Sequence, residues 1–229
     1  MTRGKKYRAV IEKIEKEKEY SLEEALTFVK GNALAKFDES VEVHFKLRIN
    51  PKKGEEQVRS AAVLPHGVGR SKKVAVITTT KMADAKEAGA DLIGGEELIE
   101  EIKSGKLTAG VDFDVVVATP EVMPKLASVA KILGPKGLMP NPKTETVTSK
   151  VKEVVEALKK GSKVSFKNDV SGNVHQVIGK LSFEVAQLQE NFQAVYDTIQ
   201  KIKPETMKGR YIQSVSVCST MGPGIKVKM

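Results

Sequence analysis

The sequence has no tryptophan, one cysteine and three histidines in 229 residues. The lone thiol, Cys218, excludes an intrachain disulfide and any zinc site built from several cysteines. Its ordinary place is as a small strand residue. Aromatic residues make up 5% of the chain, so its cores must be aliphatic. No apolar run approaches the roughly 20 residues that span a bilayer, and no membrane partner is expected. The opening Met-Thr-Arg-Gly-Lys-Lys-Tyr-Arg is basic, but no apolar signal segment follows it. The expected location is therefore cytoplasmic.

Positive charge is abundant. The net charge is +9 and the isoelectric point about 9.4, which points to a polyanionic partner: RNA, DNA or an acidic membrane surface. Apolar residues form 40% of the chain, enough for one large core or two modest ones.

The pattern changes character twice. From Ser40 to Ile49 it alternates, with Val41, Val43, Phe45, Leu47 and Ile49 against Ser40, Glu42, His44, Lys46 and Arg48. Period two predicts a strand with one buried and one polar face. Ser21 and Glu24 predict a capped helix before it, and Lys5 to Lys18 a short amphipathic one. After Pro65-His-Gly-Val-Gly69, continuous apolar runs (Val74–Ile77, Phe113–Ala118) alternate with helical segments. These are predicted at 81–88, 96–103, 120–132 and 147–159. Strands alternating with helices predict a parallel sheet covered on both faces. From Lys163 short extended segments return, with turn residues around Asn168–Asn173, a helix from about Phe183 to Ile202 and an alternating Arg210–Thr220. The fold class read from this is α/β, or α+β overall. An outer split α+β domain with an antiparallel sheet (1–67 and 160–229) holds an inserted three-layer αβα domain with a mainly parallel sheet (68–159). Gly67, Gly69 and Gly161 are the expected hinges.

Catalytic patterns fail one by one. Gly67-Val-Gly69-Arg-Ser-Lys72 lacks the third glycine of a dinucleotide fingerprint and precedes a strand instead of following one. His44, His66 and His175 have no partner at ligand spacing, so no metal and no cofactor are expected. No Gly-x-Ser-x-Gly elbow occurs. Polyanion-binding features are better represented. Lys36 and Phe37 lead into a strand whose polar face offers Ser40, Glu42, His44 and Lys46, groups suited to ribose hydroxyls, base edges and phosphate. Phe37 either stacks on a nucleotide or packs in the core, and pattern alone favours the core. The tail Ser219–Met229 shows nothing that needs burial. Its Gly222 and Gly224 would let the backbone approach a rigid partner, and a frayed terminus is the competing reading.

Residues 133–143, Leu-Gly-Pro-Lys-Gly-Leu-Met-Pro-Asn-Pro-Lys, are the most distinctive stretch. With Lys36-Phe-Asp-Glu-Ser-Val-Glu-Val43, Val63-Leu-Pro-His-Gly-Val-Gly-Arg70 and Ser219-Thr-Met-Gly-Pro-Gly224, they resemble the L-one family of bacterial large-subunit ribosomal proteins. The resemblance implies a hinged inserted domain and an outer domain that binds a helical junction of large-subunit rRNA. It implies rRNA contacts at Lys36, Phe37, Ser40, Glu42, Lys46, Ser214, Thr220, Met221 and Gly222. Lys167, Asp169 and Ser171 are further candidates. It implies a structural, non-enzymatic constituent of the large ribosomal subunit that aids release of deacylated tRNA from the exit site. Repression of its own operon mRNA through a leader that mimics the rRNA site is also implied. The free protein is expected to be a monomer. Ser60 and Glu145 depart from the family pattern, each standing where glycine is common. The rival reading is a nucleotide-binding α/β enzyme with a regulatory domain; a further one is a general basic scaffold.

Overall fold

The computed structural model describes residues 4–15, 18–204, 207 and 209–228. It forms two compact units, Met1–Gly69 with Ser165–Met229, and Arg70–Val164. The chain leaves the first unit after Gly69 and re-enters it at Ser165, somewhat later at both crossings than the borders drawn from sequence.

The first unit opens with α1 (Lys5–Glu12), shorter than the predicted basic helix. The basic start at 1–3, and positions 16 and 17 of that segment, lie outside the described residues. Helix α2 (Leu22–Gly31) begins at the predicted capping box: Glu24 N donates to Ser21 Oγ at 3.2 Å, and Ser21 N donates to Glu24 Oε2 at 3.0 Å. Strand β1 (Ser40–Leu47) follows, then β2 (Arg59–Val63), which no sequence signal marked.

The inserted unit runs β3 (Val74–Ile77), α3 (Met82–Glu87), β4 (Leu92–Gly94), α4 (Glu96–Ser104), β5 (Val115–Ala118), α5 (Met123–Leu126), α6 (Ala130–Leu133) and α7 (Val151–Lys159). Its sheet is parallel, in the order β4-β3-β5. One face packs Ile77, Ile99, Phe113, Leu126 and Leu133; the other packs Val76, Ala85, Val151 and Val155. That is the expected three-layer arrangement. Two details differ. The helix expected over 120–132 is broken into α5, α6 and 3₁₀ turns; Pro124, inside that span, removes the amide that would bond the Pro120 carbonyl. Val147 does not start α7; it bridges to Ala118 as a rudimentary extra strand.

The chain returns through β6 (Lys163–Lys167), β7 (Asn173–Lys180), α8 (Val185–Lys201), β8 (Ile212–Ser219) and β9 (Ile225–Val227). The main sheet of the first unit is antiparallel, in the order β7-β1-β8-β9. On one face Val41, Val43, Phe45 and Leu47 are fully buried with Leu26 of α2 and with Leu188, Val195 and Ile199 of α8. Phe45 packs 5.8 Å from the Phe192 ring. Strand β9 overturns the expectation that nothing in the tail needs burial. Ile225 and Val227 are buried, and Tyr20 N and Lys228 N bond Lys226 O and Tyr20 O.

Of the expected hinge glycines, Gly67 is tied down. Asn191, wholly buried on α8, donates to Gly67 O at 2.9 Å and to Ile178 O at 2.7 Å, and its Oδ1 accepts from His66 N at 3.1 Å. Gly69 has φ +73° at the crossing itself. Gly161, with φ +67°, follows the end of α7 as a left-handed helix stop. Asn191→Ala strips three backbone groups of their partner. It should lower the stability of the first unit by about 2–4 kcal/mol, as orphaned buried polar groups do. Urea unfolding followed through that unit checks this, and an unchanged midpoint would disprove the clamp.

Candidate nucleic-acid interface

The second face of the antiparallel sheet stays partly exposed. Register fixes its members. On β1 they are Ser40, Glu42, His44 and Lys46. Across from them stand Cys218, Ser216 and Ser214 on β8, and Lys180, Val177, His175 and Asn173 on β7. Lys226 of β9 pairs with Ser216. A strand rises about 3.4 Å per residue, so Ser40 to Lys46 spans about 20 Å. This strip is polar, and Lys46, Lys180 and Lys226 outnumber its one carboxylate, Glu42.

Each end of the strip is built by a loop. At one end Lys46 Nζ donates to Ser171 O at 2.6 Å. Asp169 shapes that turn by accepting from Ser171 N at 2.8 Å and from Asn173 N at 2.7 Å. The Asn173 amide, outweighing desolvation with help from the Asn173 side chain, Ser171 and His175, lowers the Asp169 carboxyl to about 2. At the other end Ser40 N donates to Thr220 Oγ1 at 3.0 Å, and Thr220 N donates to Ser40 O at 3.0 Å. Lys180 Nζ reaches Ser40 Oγ at 2.9 Å.

Glu39, immediately before β1, organises this second end. It is wholly buried. Its Oε1 accepts from Leu34 N at 2.9 Å and Ala35 N at 2.7 Å, and its Oε2 from Met221 N at 3.0 Å. Burial pushes its pKa up, but the Ala35 amide, the Ser219 hydroxyl and the Met221 and Leu34 amides outweigh that and hold it below the ordinary value. One carboxylate thus joins the loop before β1 to the loop after β8. Between them lies a groove of about 640 Å³, lined by Lys6, Tyr7, Leu34, Phe37, Thr220 and Met221 among others. Phe37 and Met221 are 57% and 54% exposed. An apolar pair so exposed beside lysines suits a flat, unstacked base or a sugar face.

The middle of the strip holds His44, His175, Cys218 and Glu42. His44 Nδ1 lies 2.8 Å from His175 Nδ1, and His44 Nε2 lies 3.1 Å from Cys218 Sγ. Burial, then Glu42, pushes the Cys218 thiol up to about 11, so it is a neutral donor. Burial, then repulsion from His175, lowers the His44 pKa. A neutral His44 that accepts the thiol proton on Nε2 carries its own on Nδ1 and donates it to His175. His175 then turns Nε2 toward Asp169 Oδ2, 3.5 Å away.

The residues named from sequence fall on this face and its loops. Ser40, Glu42, Lys46 and Ser214 lie on the strip; Lys36, Phe37, Thr220, Met221 and Gly222 surround one end. Asp169 and Ser171 form the other end, and exposed Lys167 closes β6 just before it. Two readings change. Phe37 is not a core residue. At Gly222 a Cβ would meet Ser219 Oγ at 2.5 Å, so a larger residue there would have to displace that hydroxyl. Glu39, Lys180 and Lys226 escaped the sequence reading. Glu39 stood inside a recognised block, but only the fold shows its two loops meeting.

The inserted unit offers less. At the carboxyl ends of β3 and β5, where an open α/β sheet binds ligands, Thr78 and Thr119 are buried with their hydroxyls 3.5 Å apart. The 133–143 loop folds onto its own core. Leu133 is buried, Leu138 and Met139 pack against the same cluster, and Lys136 Nζ donates to Ala109 O at 2.6 Å.

Fold and site together define a class: a split-domain protein that carries an α/β insert and leaves one basic sheet face uncovered. The sequence pattern of the ribosomal protein L1p/L10e family matches residues 29–223, and the chain belongs to that family. It is 51% identical over 225 residues to large ribosomal subunit protein uL1 of Mycoplasma capricolum, covering 98% of both chains. It is 48% identical over 226 residues to that of Mesoplasma florum (99% of this chain, 98% of the relative). The corresponding protein of Phytoplasma australiense is 47% identical over 228 residues (99% and 97%).

Because the folded pKa of Glu39 lies below the ordinary 4.5, its stabilising contribution is present above that value. It is lost as pH falls through the folded pKa. Glu39→Gln should therefore lower the melting temperature at neutral pH, with the gap to wild type narrowing as pH drops below 4.5. A pH-independent gap would mean that Glu39 acts through packing alone.

Proposed function

We propose that this chain is a structural, non-enzymatic constituent of the large ribosomal subunit and holds large-subunit rRNA on the open face of its antiparallel sheet. The observation that carries this is the polar strip of about 20 Å, which ends in the Phe37–Met221 groove. Lysines supply affinity through phosphate neutralisation and counterion release. The fixed strip and groove supply selectivity by fitting an RNA shape. Lys36, Phe37, Ser40, Glu42, Lys46, Ser214, Thr220, Met221 and Gly222 form the contact set, with Lys167, Asp169 and Ser171 at its far edge. Family membership and relatives named as large ribosomal subunit protein uL1 support this reading.

The finer roles rest on the family resemblance. The inserted unit swings about the crossing near Gly69 and helps deacylated tRNA leave the exit site. The strip also accepts a leader in the protein's own operon mRNA that imitates the rRNA site. The location is the cytoplasm, on the ribosome.

Binding to a fragment of large-subunit rRNA tests the site. Thr220→Ala and Met221→Ala should each cost about 1–3 kcal/mol. Lys46→Ala should make the salt dependence shallower by about one counterion. If Thr220→Ala and Met221→Ala both bind as tightly as wild type, the contact set is wrong.

A further inference from the structure

The centre of the open strip brings together side chains that, Glu42 apart, the proposed rRNA contact set does not use. The side-chain donor atoms of Glu42, His44 and Cys218 all lie within 4.8 Å of one another. The three residues come from adjacent strands, β1 and β8, so the sheet's own hydrogen bonds hold their backbones. Among the described residues Glu42 has no hydrogen-bond or ion-pair partner. An unpaired carboxylate thus faces a neutral imidazole and a neutral thiol.

We propose that Glu42, His44 and Cys218 form a binding site for one zinc-class divalent cation on the open face of the sheet. One carboxylate, one imidazole and one thiolate are a ligand set for such a borderline-soft ion, and three protein ligands leave a fourth position for water. For the His44–Cys218 pair the spacing is close to what is needed, and the Glu42 carboxylate, within 4.8 Å of both, turns inward to complete the set. With Zn–S near 2.3 Å and Zn–N near 2.0 Å, tetrahedral ligands place sulfur and nitrogen about 3.5 Å apart. His44 Nε2 and Cys218 Sγ are now 3.1 Å apart, so a few tenths of an ångström of opening admits the ion. On coordination the Cys218 thiol proton leaves to solvent, and sulfur and nitrogen each bond the metal in place of that shared proton.

A second observation supports the assignment of His44 Nε2 as ligand. The other ring nitrogen is already held, 2.8 Å from His175 Nδ1, and His175 is backed by Asp169. Metal-binding histidines are typically oriented in this way, with the remote N–H donated to a second group that fixes the tautomer. His175 and Asp169 are thus positioning residues.

Cobalt(II) titration of the full-length, RNA-free protein reads the site directly. Cys218 is the chain's only cysteine, so any thiolate-to-cobalt charge-transfer band reports this position. One equivalent should produce that band together with the strong visible absorption of four-coordinate cobalt, and zinc should displace it. His44→Gln and Glu42→Gln should each weaken binding at least tenfold, and His175→Ala less. Absence of the charge-transfer band in the wild-type protein, or a weak six-coordinate spectrum, overturns the proposal. So does unchanged affinity in both His44→Gln and Glu42→Gln. The wild-type titration stands without any variant, and circular dichroism melts verify that the variants are folded.

Discussion

Strand β1 is the hinge of the first unit's architecture. It lies between β7 and β8, and its residues alternate between a sealed side and an open one. A slip of one residue would carry Phe45 into water and Lys46 into the core. That penalty fixes the register of strands contributed from far along the chain. The same register then fixes what stands where on the open face. His44 meets His175, 131 positions later. Lys46 meets Ser214, and Ser40 meets Thr220 through its main chain. The face therefore needs no assembly step of its own. It is the reverse side of core packing, and its accuracy is inherited from Val41, Val43, Phe45 and Leu47.

Buried polar clamps extend that accuracy beyond the strands. Loops lack ladder hydrogen bonds, and exposed ones drift. Glu39 and Asn191 counter this in the same way. Each places a side chain with several bonding positions out of water and satisfies them with backbone groups from distant segments. Neither is costless, because a buried carboxylate or amide left unpaired is strongly destabilising. The return is specificity of position: Met221 and Leu34 are set by one carboxylate, and Gly67 and Ile178 by one amide. A hydrophobic residue at either site would fill the volume but could not dictate which backbone groups converge.

Much of this was legible from sequence where a pattern was local. The alternation of β1, the capping box at Ser21 and the buried parallel strands at Val74–Ile77 and Val115–Ala118 all follow from short-range periodicity. What escaped was either brief or nonlocal. Strand β9 is three residues long, and Gly222-Pro-Gly224 before it reads as loose coil. Phe37 looked like core because large apolar residues usually are, and only its place in the loop before β1 exposes it. The break at the start of α5 follows from Pro124, whose effect the helical spacing of apolar residues masked. The histidine–cysteine cluster could not be seen at all. Its members have no spacing rule, since it is strand pairing and not sequence distance that joins them.

The 133–143 loop shows why distinctive sequence and functional contact need separate arguments. Its prolines and glycines make it the easiest stretch to recognise. Yet Leu133, Leu138 and Met139 turn inward, and Lys136 is spent on the Ala109 carbonyl. Its prolines restrict the backbone so strongly that, between the end of α6 and a short 3₁₀ turn at Pro142–Thr144, the chain passes over an apolar cluster without regular structure. That is a structural reason for the composition and requires no ligand. The open strip has the opposite profile. Its serines, lysines and lone carboxylate are unremarkable as a string, and none of them contributes to the apolar core on the covered face. Residues outside the apolar core, set at fixed positions on a sheet, are free to be chosen for what binds there.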